Sequence, residues 1–192
     1  MSDNKESSLK NLINQLENLK NFLPPINTAG YPFIIIFALF ALFLSLISDF
    51  LGWIGFILTL WCVYFFRDPE RVIPEKKNIL ISPADGKILF AGSSKTPENL
   101  SDSKQEDLNK VSIFMNIFDV HVNRSPMKGK VIKKVYFPGS FIDASLDKAS
   151  EKNEHLSITM KAAYGKNIAF VQIAGLIARR ILCNVEVGSK LE

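Results

Sequence analysis

The apolar block from Tyr31 to Phe66 holds a single charged residue, Asp49, and constrains this chain more than any other feature. A bilayer core is about 30 Å thick, so one helix needs roughly 20 apolar residues to cross it. The block divides at Ser48 and Asp49 into two shorter stretches, 32–47 and 50–66. Such stretches joined by a tight polar turn fold back as a helical hairpin, because every backbone N–H and C=O must be paired inside lipid. Lys10 and Lys20 precede the block, and Arg67, Arg71, Lys76 and Lys77 follow it. Positive flanks at both ends place both in the cytoplasm, with the Asp49 turn near the outer face or re-entrant. A pair of core helices in a soluble domain is the plainer alternative, but aromatic and β-branched residues cover all faces of both stretches. A cleaved signal peptide fits less well: the block starts late, with no short basic region just before it and no small-residue cleavage site after it.

The rest of the chain is long enough for one further domain with its own core. Three lysines against four carboxylates give residues 1–66 a net charge of −1, so residues 67–192 carry +5 of the chain's +4 total. A basic domain beside a membrane is drawn to anionic lipid headgroups. Its cations are dispersed and form no recognised nucleic-acid motif, which argues against a nucleic-acid partner. Cys62 and Cys183 make neither a CxxC pair nor a disulfide framework. His121 and His155 are the only histidines, so a zinc site would need carboxylates at every remaining position, and no metal is expected.

Beyond residue 66 the pattern is mostly of short strands, at 78–82, 86–91, 111–114, 129–136, 156–161, 167–173 and 181–187, bounded by Gly, Pro, Asn or Asp. Residues 93–110 lack apolar periodicity and read as a loop. Residues 1–21 space Leu9, Leu12, Ile13, Leu16 and Leu19 as an amphipathic surface helix does. The expected fold is α+β: an amphipathic cytoplasmic segment over 1–30, a membrane helical hairpin over 31–66, and a cytoplasmic, mainly β, barrel-like domain over 67–192.

Two polar constellations stand out. ISPADGKI at 81–88 sets Asp85 in a turn between apparent strands, where Asp-Gly is foremost a hairpin signal. FMNIFDVHVNRSPMKG at 114–129 presents Asp119, His121, Asn123 and Arg124 after an apolar strand. A histidine there is an available acid or base near neutral pH, though a lone histidine is more often a hydrogen-bonded structural residue.

FFRDPER, SPADG, FMNIFDVHVNRSP, FPGSFIDASLDKASEKNEH and QIAGLIARRI, in this order and at these intervals, resemble the short proteobacterial form of phosphatidylserine decarboxylase, from about Gly30 to Gly188. The resemblance implies a pyruvoyl-dependent carboxy-lyase of phospholipid biosynthesis, made as a zymogen that cuts itself at a Gly-Ser bond. The products are a large β chain and a small α chain whose terminal serine becomes the pyruvoyl group. Its carbonyl forms a Schiff base with phosphatidylserine and draws in the electrons released with CO2, giving phosphatidylethanolamine.

By motif, Asp85 corresponds to the family's triad aspartate. His121 corresponds to the first histidine of a DxHxxH motif whose second position here is Arg124, so His121 is the motif's one base for self-cleavage, for protonation after decarboxylation, or for both. Arg124 stays protonated and suits the substrate carboxylate or phosphate. Arg67 lies at headgroup depth, as an anchor or a phosphate contact. His155 receives no role. Gly188-Ser189 aligns with a basic turn and not with the cleavage site, so Ser189 is not taken as the pyruvoyl precursor.

The same resemblance expects the precursor serine beyond Glu192. The barrel-like domain would then lack its final strands, leave an open sheet edge for a separate pyruvoyl-bearing α chain, and be silent alone. Expected partners are phosphatidylserine, anionic membrane lipid, that α chain and possible further copies of itself, at the cytoplasmic side of a bacterial cell membrane. The competing class is a non-catalytic, membrane-anchored β domain that binds lipid or a protein partner. A hydrolase using Ser125 or Ser140 is a third, although neither serine sits in a nucleophile elbow.

Overall fold

The computed structural model describes residues 24–76, 79–95, 107–146 and 149–191. The surface helix expected over residues 1–21 lies outside these. The chain divides into two compact units, Met1–Pro74 with Val120–Val122, and Glu75–Asp119 with Asn123–Glu192.

In the first unit a 3-10 turn, Thr28–Gly30, leads into helix α1, Tyr31–Ser45, and a short turn joins it to α2, Asp49–Phe65. The Asn27 side chain accepts the Ala29 N–H at 3.1 Å, and Pro32 sits in the first turn of α1, where its missing N–H costs nothing. The helices run antiparallel with small residues at their contact. A Cβ on Gly55 would lie 2.7 Å from Ala41 Cα, and one on Gly52 would lie 2.7 Å from Ser45 Cβ. Close backbone approach of this kind is how helices associate where no hydrophobic drive separates side chain from solvent. The polar side chains serve the backbone: Ser45 Oγ donates to Leu42 O at 2.7 Å and Thr59 Oγ1 to Gly55 O at 2.8 Å. The outer faces stay apolar and exposed, with Leu42, Ile36 and Ile57 each more than 60% accessible. Thr28–Ser45, 18 residues with mean hydropathy 2.0, is long and apolar enough to cross a membrane; α2 is one residue shorter. At the open end of the hairpin, Asn27 N–H donates to Phe66 O at 2.8 Å and the rings of Phe33 and Phe66 stack at 5.4 Å.

The second unit holds two antiparallel sheets. Strands β1, Lys87–Lys95, and β2, Asp107–Phe114, form a two-stranded ribbon whose Ile88, Phe90 and Val111 are exposed. Strands β3, Gly129–Phe137; β4, His155–Ala162; β5, Asn167–Ile173; and β6, Lys190–Leu191, form a four-stranded sheet in the order β5-β4-β3-β6. A short helix, α3, Ala149–Lys152, precedes β4. Central β4 is buried along almost its whole length. Leu156 and Ile158 join Val131 of β3 in the core, with Phe170, Ile181, Cys183, Val185 and Leu191 packed against them. An irregularity between Val131 and Lys133 shifts the register of β3 on β4, the signature of a β-bulge.

Three sequence readings differ from this structure. Residues 181–187 alternate inward and outward as a strand would, yet join no sheet. Ile181, Cys183 and Val185 pack by side chain on the core, and Lys134 Nζ holds Glu186 at 2.8 Å. Alternation reports which residues are buried and says nothing about where the backbone hydrogen bonds go. Residues 79–82 are also outside any strand, although Ile81 N–H donates to Pro126 O at 2.9 Å. Of the expected 93–110 loop, the residues up to Lys95 belong to β1 and those from Asp107 belong to β2.

Candidate active site

Within the second unit the backbone brings the SPADG motif beside the NRSP segment, residues 123–126. Arg124 N–H donates to Pro83 O at 2.9 Å, and Ile81 N–H donates to Pro126 O at the same distance. Asp85 follows this paired segment. Gly86 comes next at φ +144°, where a Cβ would run into the carbonyl oxygen of Phe114 at the end of β2. Glycine is therefore required twice over, by the backbone angle and by the close approach. We expect Gly86→Ala to cost about 2–4 kcal/mol, read as a lower urea midpoint in detergent; an unchanged midpoint would mean that the turn relaxes freely.

Beside this pairing lies a groove of about 160 Å³, lined by Asn123, Arg124 and Gln172 and floored by Ile158, Phe170 and Val185. Gln172 Nε2 donates to Asn123 Oδ1 at 2.9 Å, and Asn123 Nδ2 reaches Met115 Sδ at 3.4 Å. The pair fixes the orientation of both amides and ties QIAGLIARRI to HVNRSP. Sequence reasoning missed Gln172 because a lone glutamine in an apolar strand gives no signal until β5 is placed on β4.

A second junction holds the remaining motif segments. Ser140 N–H donates to Lys152 O at 2.8 Å and Glu154 N–H to Ser140 O at 3.0 Å. Gly139 permits this, since a Cβ there would lie 2.5 Å from backbone atoms of Lys152, Asn153 and Glu154. Buried Asn153 accepts the Ile142 N–H at 3.0 Å and donates to the carbonyls of Ile142 and Ala174, both at 2.8 Å. Arg179 lies 5.8 Å from the Phe141 ring centroid. Asp143 accepts the Ser145 N–H at 2.9 Å, which holds its carboxyl below the ordinary carboxylate value. His155 is buried, donates from Nδ1 to Asn153 O at 2.8 Å, and stacks on Phe137 at 4.6 Å. These are the bonds of a structural histidine.

The first unit holds His121 and Arg67. The His121 ring stacks on Phe65 with centroids 4.2 Å apart. Stacking engages the ring face and leaves the nitrogen-bearing edge outside the stack. Arg67 Nη1 donates to Tyr64 O at 2.7 Å, with its guanidinium 3.6 Å from the Tyr64 ring centroid. A cation placed there complements the C-terminal end of α2. Ser125 Oγ donates to Met127 O at 2.7 Å. Ser189 Oγ accepts the Glu186 N–H at 3.1 Å in a turn where Gly188 has φ +96°.

Comparison with known proteins gives the class of the chain. Residues 58–192 match the description of the phosphatidylserine decarboxylase family, which makes the chain one of the carboxy-lyases. It is also 50% identical over 167 residues to a phosphatidylserine decarboxylase proenzyme of Paramagnetospirillum magneticum, covering 87% of this chain and 69% of that protein. The chain belongs to the phosphatidylserine decarboxylase family.

Proposed function

We propose that this chain works in the decarboxylation of phosphatidylserine to phosphatidylethanolamine and CO2, at the cytoplasmic face of a bacterial cell membrane. The observation that carries the reading is the pairing of residues 81–83 with 124–126 beside the Asn123–Gln172 groove, because it gathers three family motifs at one apolar recess with polar side chains. In this reading the α1–α2 hairpin enters the membrane, and the second unit is a barrel-like domain held beside the headgroups.

The groove suits a pyruvoyl group on chemical grounds. Its floor accepts a small acyl chain, and Arg124 and Gln172 supply donors for carbonyl or carboxylate oxygens. Such a group, when present, supplies the electron sink for the bonding pair left behind by CO2. The chain's own residues bind and move protons. Arg124 pairs with the substrate carboxylate or phosphate. His121 delivers or removes a proton at its ring edge, and Asp85 acts as the acid partner in preparing the serine for self-cleavage. The proenzyme name of the relative supports a pyruvoyl-bearing small α chain as partner. Arg67 caps α2 and anchors the hairpin.

Intact mass and a phosphatidylserine decarboxylation assay, run on the chain alone and on the chain co-expressed with a family-type C-terminal segment carrying a Gly-Ser site, test this. We expect phosphatidylethanolamine and a carbonyl-reactive fragment from the pair. Absence of both products from a folded pair would overturn the reading, and loss of four residues from the chain alone would make Ser189 the precursor.

A further inference from the structure

The four-stranded sheet places three lysines abreast. Lys130 of β3 lies directly opposite Lys161 of β4 on one side and directly opposite Lys190 of β6 on the other. Residues paired in this way share a face of the sheet, with Cβ atoms about 5 Å apart. Like charges so placed destabilise a sheet, and among the described residues no ion pair joins any of the three to a carboxylate. Lys128 adds a fourth ammonium at the same end of the sheet. The four line one recess of about 500 Å³, in which no Asp or Glu appears and Ile132 and Leu191 supply apolar surface.

We propose that this recess is a docking site for the phosphate groups of anionic phospholipids at the membrane surface. The row is unfavourable in the protein by itself and becomes favourable when an anion is shared among its members. The apolar lining fits acyl chains and glycerol carbons just beneath a headgroup. Nucleic acid fits less well, because the recess offers no aromatic ring on which a base would stack. None of the four lysines lines the Asn123–Gln172 groove, although Leu191 lines both recesses. The inference rests on the membrane-surface part of the functional reading and is independent of decarboxylation, so no turnover is needed to test it.

The test is amine acetylation of the full chain in nanodiscs, read by peptide mass spectrometry, comparing phosphatidylcholine alone with phosphatidylcholine containing phosphatidylglycerol. Lys128, Lys130, Lys161 and Lys190 are expected to lose reactivity several-fold in the anionic discs, while exposed Lys87, Lys110 and Lys152 change little. Equal change at both sets would overturn the proposal. So would equal protection by inorganic phosphate in detergent, or by an oligonucleotide. In vesicle flotation, the Lys130→Gln/Lys161→Gln pair is expected to lose about 30-fold of the preference for anionic over neutral lipid, at roughly fivefold per lysine. Its thermal midpoint should hold or rise, since removing like charges relieves the row. A lowered midpoint with lipid preference intact would make the row structural and sink the proposal.

Discussion

Asn153→Ala is expected to destabilise the second unit by about 3–5 kcal/mol, at the upper end for a single substitution. The side chain is 1% exposed and serves three backbone groups on two distant segments, the Ile142 N–H and C=O and the Ala174 C=O. Alanine leaves those groups buried without partners, each costing about 1–3 kcal/mol. Asn153→Asp should fare no better. It keeps the acceptor for Ile142 N–H but turns a second oxygen toward two carbonyl oxygens, in a place where a carboxylate is poorly solvated. Thermal or urea unfolding in mild detergent reads the effect, with the midpoint falling by about 10 °C or more. A loss below about 1 kcal/mol would show that water enters and replaces the amide.

Asp85→Asn is expected to slow self-cleavage by about 10³–10⁴-fold when the chain carries a family-type Gly-Ser segment, the scale seen when an acid that orients a catalytic base is neutralised. The substitution keeps the side chain's shape, so the paired 81–83 and 124–126 segments stay in place. The urea midpoint should therefore match the unsubstituted protein while fragment appearance, followed by mass, nearly stops. Cleavage at the ordinary rate would remove Asp85 from the chemistry and leave it as the acidic residue of a turn. A fall in both midpoint and rate would make it a folding residue.

Much of the scaffold was legible. The helices end within two residues of the apolar stretches, because a polar Ser-Asp pair between apolar runs leaves little choice of where to turn. Strands β3, β4 and β5 were readable from β-rich runs between Gly, Pro and Asn residues. The segment at 181–187 was not, since burial alternates there without a ladder. Motifs put Asp85, His121 and Arg124 forward as candidates, and the structure adds the backbone pairing of 81–83 with 124–126. The site was opaque where meaning depends on register. Gln172 becomes a groove residue because β5 pairs with β4, and the Lys130, Lys161 and Lys190 row exists because β6 returns beside β3. Asn153 looked like one polar residue among many in KASEKNEH. Its burial follows from the close seat of Gly139 on residues 152–154, which no local pattern announces.

The β1–β2 ribbon gives the molecule an uneven firmness. Two strands with Ile88, Phe90 and Val111 in the open have little to hold them shut, since an isolated pair is marginal in water. Buried β4, flanked on both sides, belongs to the most resistant part of the structure. Opening is graded along such a chain, and the least protected parts breathe far more often than the whole unfolds. Gly86 is seated against Phe114 at the base of the ribbon, so the SPADG turn shares in that breathing. The SPADG turn is thus tied to the looser ribbon through Gly86 and to the wall of the groove through Pro83 and Arg124, so the give of one and the firmness of the other meet within four residues.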